Sequence, residues 1–258
     1  MKYVKYNSFF GQINNKNYIS ENVIPYNMSV AQSIGFKKLE EYILSNEKYE
    51  NKPLNCFKWL QDKLNISTKK ELLEILSFEQ MDSVASAIYN IENFQSFMIA
   101  DETGIGKGRI LASILRYGIV NKKNVIFFTE GTHLFSDFYR DLKDIGFEDK
   151  IGTPFLMHSK AKIINQDNEI VFKSLSKKNL EEVYDSKKID TKVIMTTYSQ
   201  FNREGLVKKK LELFKNYIKS DTILLFDETH NAIGDSTVRE TKEEIKKIGG
   251  IPIEASAT

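Results

Sequence analysis

Between Phe97 and Arg109 the chain reads FMIADETGIGKGR, a short apolar run set against a turn in which Gly104, Gly106 and Gly108 fall close together. No other stretch restricts the fold as strongly. Without those three side chains, backbone N–H groups can close around an anion, and the next helix aims its positive end at the same point. Lys107 adds a point charge, so Thr103, Gly104, Ile105, Gly106, Lys107, Gly108 and Arg109 form a candidate phosphate cradle. Ile110, Leu111, Ile114 and Leu115 then recur at helical spacing, so strand, glycine turn and helix stand in the order a phosphate loop requires.

The cradle departs from the common pattern GxxxxGK followed by Ser or Thr at two places. Asp101 occupies the first glycine position, and Gly108 occupies the position whose hydroxyl ordinarily holds magnesium. A glycine-rich turn that binds nothing would carry the same residues, but the flanking strand and helix favour the cradle. With no hydroxyl at Gly108, water is expected to complete the magnesium shell, with Thr103 as an alternative direct ligand.

Downstream, TILLFDETH runs from Thr222 to His230. Its continuous apolar core is that of a central parallel strand, which opens Asp227 and Glu228 at the same sheet edge as the cradle. Asp227 is expected to hold magnesium through a water, and Glu228 to polarise the attacking water. Lys107, Asp227 and Glu228 are thus the candidate catalytic residues, Asp227 the candidate metal residue, and ATP with Mg2+ the expected cofactors.

Strand-like segments at 97–100, 124–129, 154–158, 192–197, 222–227 and 251–255 alternate with helix-like ones. That alternation predicts an α/β fold, a three-layer parallel sheet with helices on both faces. Leu134, Phe138, Leu142 and Ile145 mark one helix, stopped at Gly146, and Leu206, Leu211, Leu213, Phe214 and Ile218 mark another. The polar, lysine-rich stretch 160–188 reads as an insertion or mobile loop. Residues 1–75 lack this rhythm and read as a mainly helical N-terminal accessory region, with two short helices near 30–45 and 54–64, ahead of a nucleotide-binding unit at 76–258. Capping boxes are expected at Thr68 with Glu71 and at Ser77 with Gln80, the latter opening a helix that runs to Asn93.

Charge gives little further direction: 37 basic against 35 acidic residues leave a net of +2, so any nucleic-acid contact must be local. The lysine runs at 187–188, 208–210 and 246–247 read as solvated faces. Cys56 stands alone, which excludes an internal disulfide and, with no signal-like or membrane-spanning run, points to the cytoplasm.

The stretch LSFEQMDSVASAIYNIENFQSFMIADETGIGKGR resembles the strawberry notch group of helicase-like ATPases, particularly its bacterial, plasmid and phage members. TEGTHLFSDFYRDLKDIG, MTTYSQ, LLFDETHNA, the final SAT and, upstream, VIPYNMSVAQSIGFKKLEEY extend the likeness over most of the chain. The resemblance implies a P-loop NTPase fold, the first RecA-like lobe of a superfamily 2 helicase or translocase. It also makes GKGR the group's own form of the loop.

By that resemblance, nucleic acid, DNA rather than RNA, crosses the strand tips at Thr129, Gly131 and Thr132 and again at Thr197, Tyr198 and Ser199. Contacts of that kind follow the backbone and do not read sequence. Helix capping by Thr132 and core packing by Tyr198 are the competing readings. His230, Ser256, Ala257 and Thr258 would couple ATP state to that surface. Gln80 either reads the adenine edge through paired hydrogen bonds or only closes its capping box. Arg109 either touches phosphate or serves the surface.

Motors of this class close ATP between two lobes, the second of which supplies arginine. No segment here reads as that lobe, so the isolated chain is expected to bind ATP weakly and turn it over slowly. The second RecA-like lobe is then expected in cis beyond residue 258 or in trans. The alternative is a non-hydrolysing, nucleotide-gated interaction module in transcription control or an anti-restriction complex of mobile elements. A one-domain phosphotransferase is disfavoured by the terminal SAT and by the lack of a lid.

Overall fold

The computed structural model describes residues 2–50, 52–99, 106–201, 204–227 and 236–256. Thr103, Gly104, Ile105, Glu228, His230, Ala257 and Thr258, all named above, lie outside the described residues. The elements run β1 (Tyr3–Lys5), α1 (Phe9–Asn14), β2 (Val23–Pro25), α2 (Tyr26–Leu44), α3 (Asn55–Leu64), α4 (Lys69–Ile75) and α5 (Phe78–Glu92). Next come β3 (Phe97–Ile99), α6 (Lys107–Val120), β4 (Val125–Thr129), α7 (Leu134–Asp144), β5 (Phe155–Leu156), β6 (Lys162–Ile164) and β7 (Ile170–Lys173). The chain continues through α8 (Lys177–Ser186), β8 (Val193–Thr197), α9 (Glu204–Tyr217), β9 (Ile223–Phe226), α10 (Ser236–Ile248) and β10 (Ile251–Ala255).

All six anticipated strands form, and they make one sheet in the order β3-β10-β9-β4-β8-β5 with every pairing parallel. Parallel strands open their C-terminal ends at one edge, and that edge carries the candidate site. Alternation along each strand divides the core. Val125, Phe127, Val193, Met195, Ile223 and Leu225 face one layer with Ile114 of α6 and Phe135 and Leu142 of α7. Ile126, Phe128, Ile194, Leu224 and Phe226 face the other, with Leu213 and Phe214 of α9 and Ile245 of α10. Period-two burial on both faces is the physical content of a three-layer α/β fold, a parallel sheet with helices on both sides.

The N-terminal helices share the first of these cores, since one apolar cluster runs from Phe10 and Trp59 through Ile88 and Leu115 to Ala255. Two buried polar residues fasten them. Arg116 of α6 donates to the carbonyls of Leu64 (2.6 Å), Asn65 (2.9 Å) and Ile145 (2.9 Å), the C-terminal ends of α3 and α7. It thereby satisfies carbonyls that have no partner within their own helices. Asp82 of α5 accepts from the backbone N–H of Phe9 (3.1 Å) and Phe10 (2.9 Å) and from the Tyr6 hydroxyl (3.0 Å), anchoring the start of α1.

Several local expectations change in detail. The stretch 160–188 holds the β6–β7 hairpin and α8, because Ile163 buries against the core and the Ile164 N–H donates to Ser136 of α7 at 3.0 Å. The first of the two short helices is the 19-residue α2, which starts early because Pro25 sets its entry. Thr68 caps α4 by accepting from the Glu71 N–H (3.1 Å), but the Glu71 carboxylate accepts from Ser67 (3.1 Å), one residue upstream of a true box.

The lysine runs are not simply solvated. Lys209 pairs with Asp185 at 2.6 Å, joining α9 to α8, and Lys246 pairs with Glu254 of β10 at 2.6 Å. Lys210 is buried, donating to the Gln200 carbonyl at 2.7 Å between the rings of Tyr184 and Phe201. Its neighbours one turn away on α9, Leu206, Val207, Leu213 and Phe214, are apolar, so the helical spacing itself places Lys210 on the buried face. Cys56 is buried, and desolvation pushes its thiol up to about 12. Among the described residues no helix is long and apolar enough to cross a membrane.

Candidate functional site

Gly106 is the N-cap of α6 with φ +82°, a left-handed conformation that glycine adopts without penalty. A Cβ there would also run into the Gln80 side-chain amide. Position 106 therefore presents bare backbone at the head of α6, as a phosphate cradle needs. Gln80 is buried and forms the full capping box with Ser77, its Oε1 accepting from the Ser77 N–H at 3.0 Å. Its Nε2 end abuts Gly106, so the capping contact and proximity to the cradle coexist in one side chain.

Lys107 extends from the first turn of α6 to the carbonyl of Ser256, with Nζ 3.3 Å from the oxygen. Ser256 follows β10, and its N–H donates to Ile99 of β3 at 3.1 Å. The next strand over is β9, in register with Glu254 opposite Phe226, so Asp227 and Ser256 both stand at strand tips. Neighbouring strands lie roughly 4.8 Å apart, which brings the cradle lysine and the acidic strand end to one short stretch of edge. Asp227 is held by its backbone: its N–H donates to Phe128 of β4 at 2.9 Å, and its carbonyl accepts from the Tyr198 hydroxyl at 2.7 Å.

Gly108 is closely approached from α7. A Cβ at Gly108 would overlap the carboxylate of Asp141, whose Cγ lies 2.7 Å from that position. The room left by the missing side chain is therefore filled by another residue of this chain. Burial pushes the Asp141 carboxyl up to about 6; Arg140 and Arg109 oppose the rise, and Asp144 and Asp137 add to it. Arg109 turns to Asp144 on α7, with the pair 2.8 Å apart.

The tips of β4 and β8 carry the remaining named residues. Thr129 and Thr197 are register partners and both are buried; the Thr197 hydroxyl meets Ser199 Oγ at 2.9 Å, and Ser199 is exposed. Tyr198 packs against Phe128 as well as holding Asp227. Thr132 and Gly131 lie in the turn before α7, whose N-cap is His133, without a capping side-chain bond. Thr132 also borders a groove of about 420 Å³ between α7 and the β6–β7 hairpin, where Arg140, Lys143, Lys160 and Lys162 converge.

Sequence reasoning missed Asp141, the Tyr198 to Asp227 contact and this basic groove. Each joins elements far apart in the chain, and none left a periodic trace. Among the described residues no cluster of three or more His, Cys, Asp or Glu side chains forms a ready metal cage.

The family model for P-loop containing NTP hydrolase pore-1 matches residues 49–253. Protein strawberry notch homolog 1 of Rattus norvegicus is 29% identical over 170 residues, covering 61% of this chain and 12% of that protein. The Homo sapiens protein of the same name is 28% identical over 170 residues, covering 61% and 11%. The matched part is thus a small fraction of those relatives. Among solved structures, the SWI2/SNF2 ATPase core of Sulfolobus solfataricus in complex with dsDNA aligns with TM-score 0.46 and 14% identity, over 70% of this chain and 31% of that one. The DUF1998 helicase MrfA aligns with TM-score 0.46 and 16% identity, over 79% and 29%.

Proposed function

The chain belongs to the P-loop containing NTP hydrolase pore-1 family, and on that premise we propose that it is an ATP-binding, helicase-like lobe. Its nucleotide cycle drives movement along DNA once a second RecA-like lobe completes the cleft. The observation that carries this reading is the reach of Lys107 from the head of α6 to Ser256, beside the strand that ends in Asp227.

In this proposal the N-terminal amides of α6 and the Lys107 ammonium take the β- and γ-phosphates, while Asp227 faces the magnesium and Glu228 orients the water. Bound ATP supplies the phosphoryl group and magnesium neutralises its charge. The chain's own contribution is mechanical as well as electrostatic. Lys107 must exchange the Ser256 carbonyl for a phosphate oxygen, which releases that carbonyl just ahead of Ala257 and Thr258. On the same edge the Tyr198 hydroxyl ties Asp227 to the β8 tip, which gives nucleotide state a route toward Thr197 and Ser199.

A nucleic-acid track is supported by the Arg140, Lys143, Lys160 and Lys162 groove beginning at Thr132. Cations of this sort hold backbone phosphate without reading bases. The test is binding of a fluorescent ATP analogue to the unaltered chain and to Lys107→Ala. Saturable binding that weakens more than tenfold in the variant is expected, and no binding by the unaltered chain would overturn the reading.

A further inference from the structure

Gly108 stands where phosphate loops place a magnesium-binding hydroxyl, and the space for its side chain is already taken. The occupant is the Asp141 carboxylate, with Oδ2 overlapping the Cβ position and Oδ1 only 3.1 Å from it. A serine or threonine oxygen at position 108 would lie one bond beyond that Cβ. The carboxylate oxygens of Asp141 therefore stand in the small volume where the absent hydroxyl would be. Carboxylate oxygens are the harder and more strongly charged donors for a divalent cation.

The neighbouring charges leave Asp141 available. Arg109 is committed to Asp144 (2.8 Å) and Arg140 to Asp137 (3.1 Å), and among the described residues no cation lies within ion-pair distance of Asp141. A half-buried carboxylate with no cationic partner is costly unless something positive joins it. Gly108 and Asp141 are thus sterically coupled: a side chain at position 108 would need the room the carboxylate fills.

We propose that Asp141 replaces the phosphate-loop hydroxyl as the side chain that meets the nucleotide's divalent cation, opposite Asp227. This rests on the ATP-binding reading above and adds a second carboxylate to its metal site. It stands in place of the expectation that water fills the position, and a serine at 108 would collide with Asp141.

The test uses Mn2+ as the probe, followed by electron paramagnetic resonance on the full chain with ATP, and separately measures ATP-analogue binding in EDTA. Asp141→Ala should weaken Mn2+ binding by about tenfold or more, with metal-free nucleotide affinity unchanged as the sign of an intact fold. The double variant Gly108→Ser with Asp141→Ala should recover most of the loss, since the hydroxyl then has both room and purpose. Unchanged Mn2+ affinity in Asp141→Ala, an equal loss of metal-free nucleotide binding, or no recovery in the double variant would each overturn the assignment. Failure of the unaltered chain to bind the ATP analogue with Mg2+ present would instead overturn the ATP reading on which it stands.

Discussion

Lys107 and Ser256 are 149 residues apart in the chain and 3.3 Å apart in space, the lysine Nζ donating to the serine carbonyl. The bond ties the head of α6 to the tip of a strand it does not follow. It gives the proposed phosphate lysine a protein partner that a nucleotide must displace.

Replacing Lys107 by Met should separate function from stability. The hydrogen bond from the half-buried ammonium to a neutral carbonyl contributes only about 1 kcal/mol, so urea unfolding should shift far less than nucleotide binding does. Nucleotide affinity should fall more than tenfold in the same preparation. A loss of stability large enough to account for the binding defect would contradict the assignment.

Gly106→Ala combines two penalties, the left-handed backbone at φ +82° and the overlap with the Gln80 amide. The first costs about 1 kcal/mol, and the second depends on whether Gln80 can withdraw. The double variant with Gln80→Ala should therefore be less destabilised than the sum of the singles in thermal melts. Strict additivity would show that the two side chains do not press on each other.

Arg116 serves three carbonyls from one buried guanidinium. Arg116→Leu keeps the apolar stem and strands those acceptors, so a loss of about 3 kcal/mol is expected from denaturant unfolding. The N-terminal helices should open first, read by faster amide exchange in α3. A loss below about 0.5 kcal/mol, in the range of an ordinary surface substitution, would contradict the role.

Burial pushes the Asp82 carboxyl up to about 7, although bonds from Phe10, Ser8, Tyr6 and Phe9 favour its charged form. A folded-state value above the ordinary carboxylate value of about 4 means that the folded protein holds the proton more tightly than the unfolded chain. The stabilisation is complete below about pH 4 and is lost as pH rises through 7. The stability advantage of the natural chain over Asp82→Asn should therefore shrink between pH 4 and pH 8 in urea titrations. A gap that widens with pH would reverse the sign.

The groove beside α7 should behave as a phosphate track. Changing Lys160 and Lys162 together to Ala should weaken single-stranded DNA binding alike for all sequences and lower the slope of log affinity against log salt by roughly one to two. An RNA strand of the same sequence provides the comparison that decides between the two backbones. Loss confined to particular sequences would argue against backbone tracking.

What the sequence determined by itself is everything that local chemistry reports. The six strands of the sheet, the stop of α7 before Gly146, the Ser77 cap with its Gln80 partner and the burial of Cys56 all follow from spacing, turn residues and polarity within a few positions. The glycine turn at Lys107 and the acids after ILLF were legible for the same reason, since each is written in consecutive residues. Tertiary structure alone decided the strand order, and with it that Ser256 would stand beside Asp227 and receive Lys107. It also decided that Arg116 would close two helices and that Asp141 would fill the space Gly108 leaves. Those partners come from separate helices and strands, whose crossing depends on how the whole core packs, and a side chain's own neighbours in sequence carry no information about that.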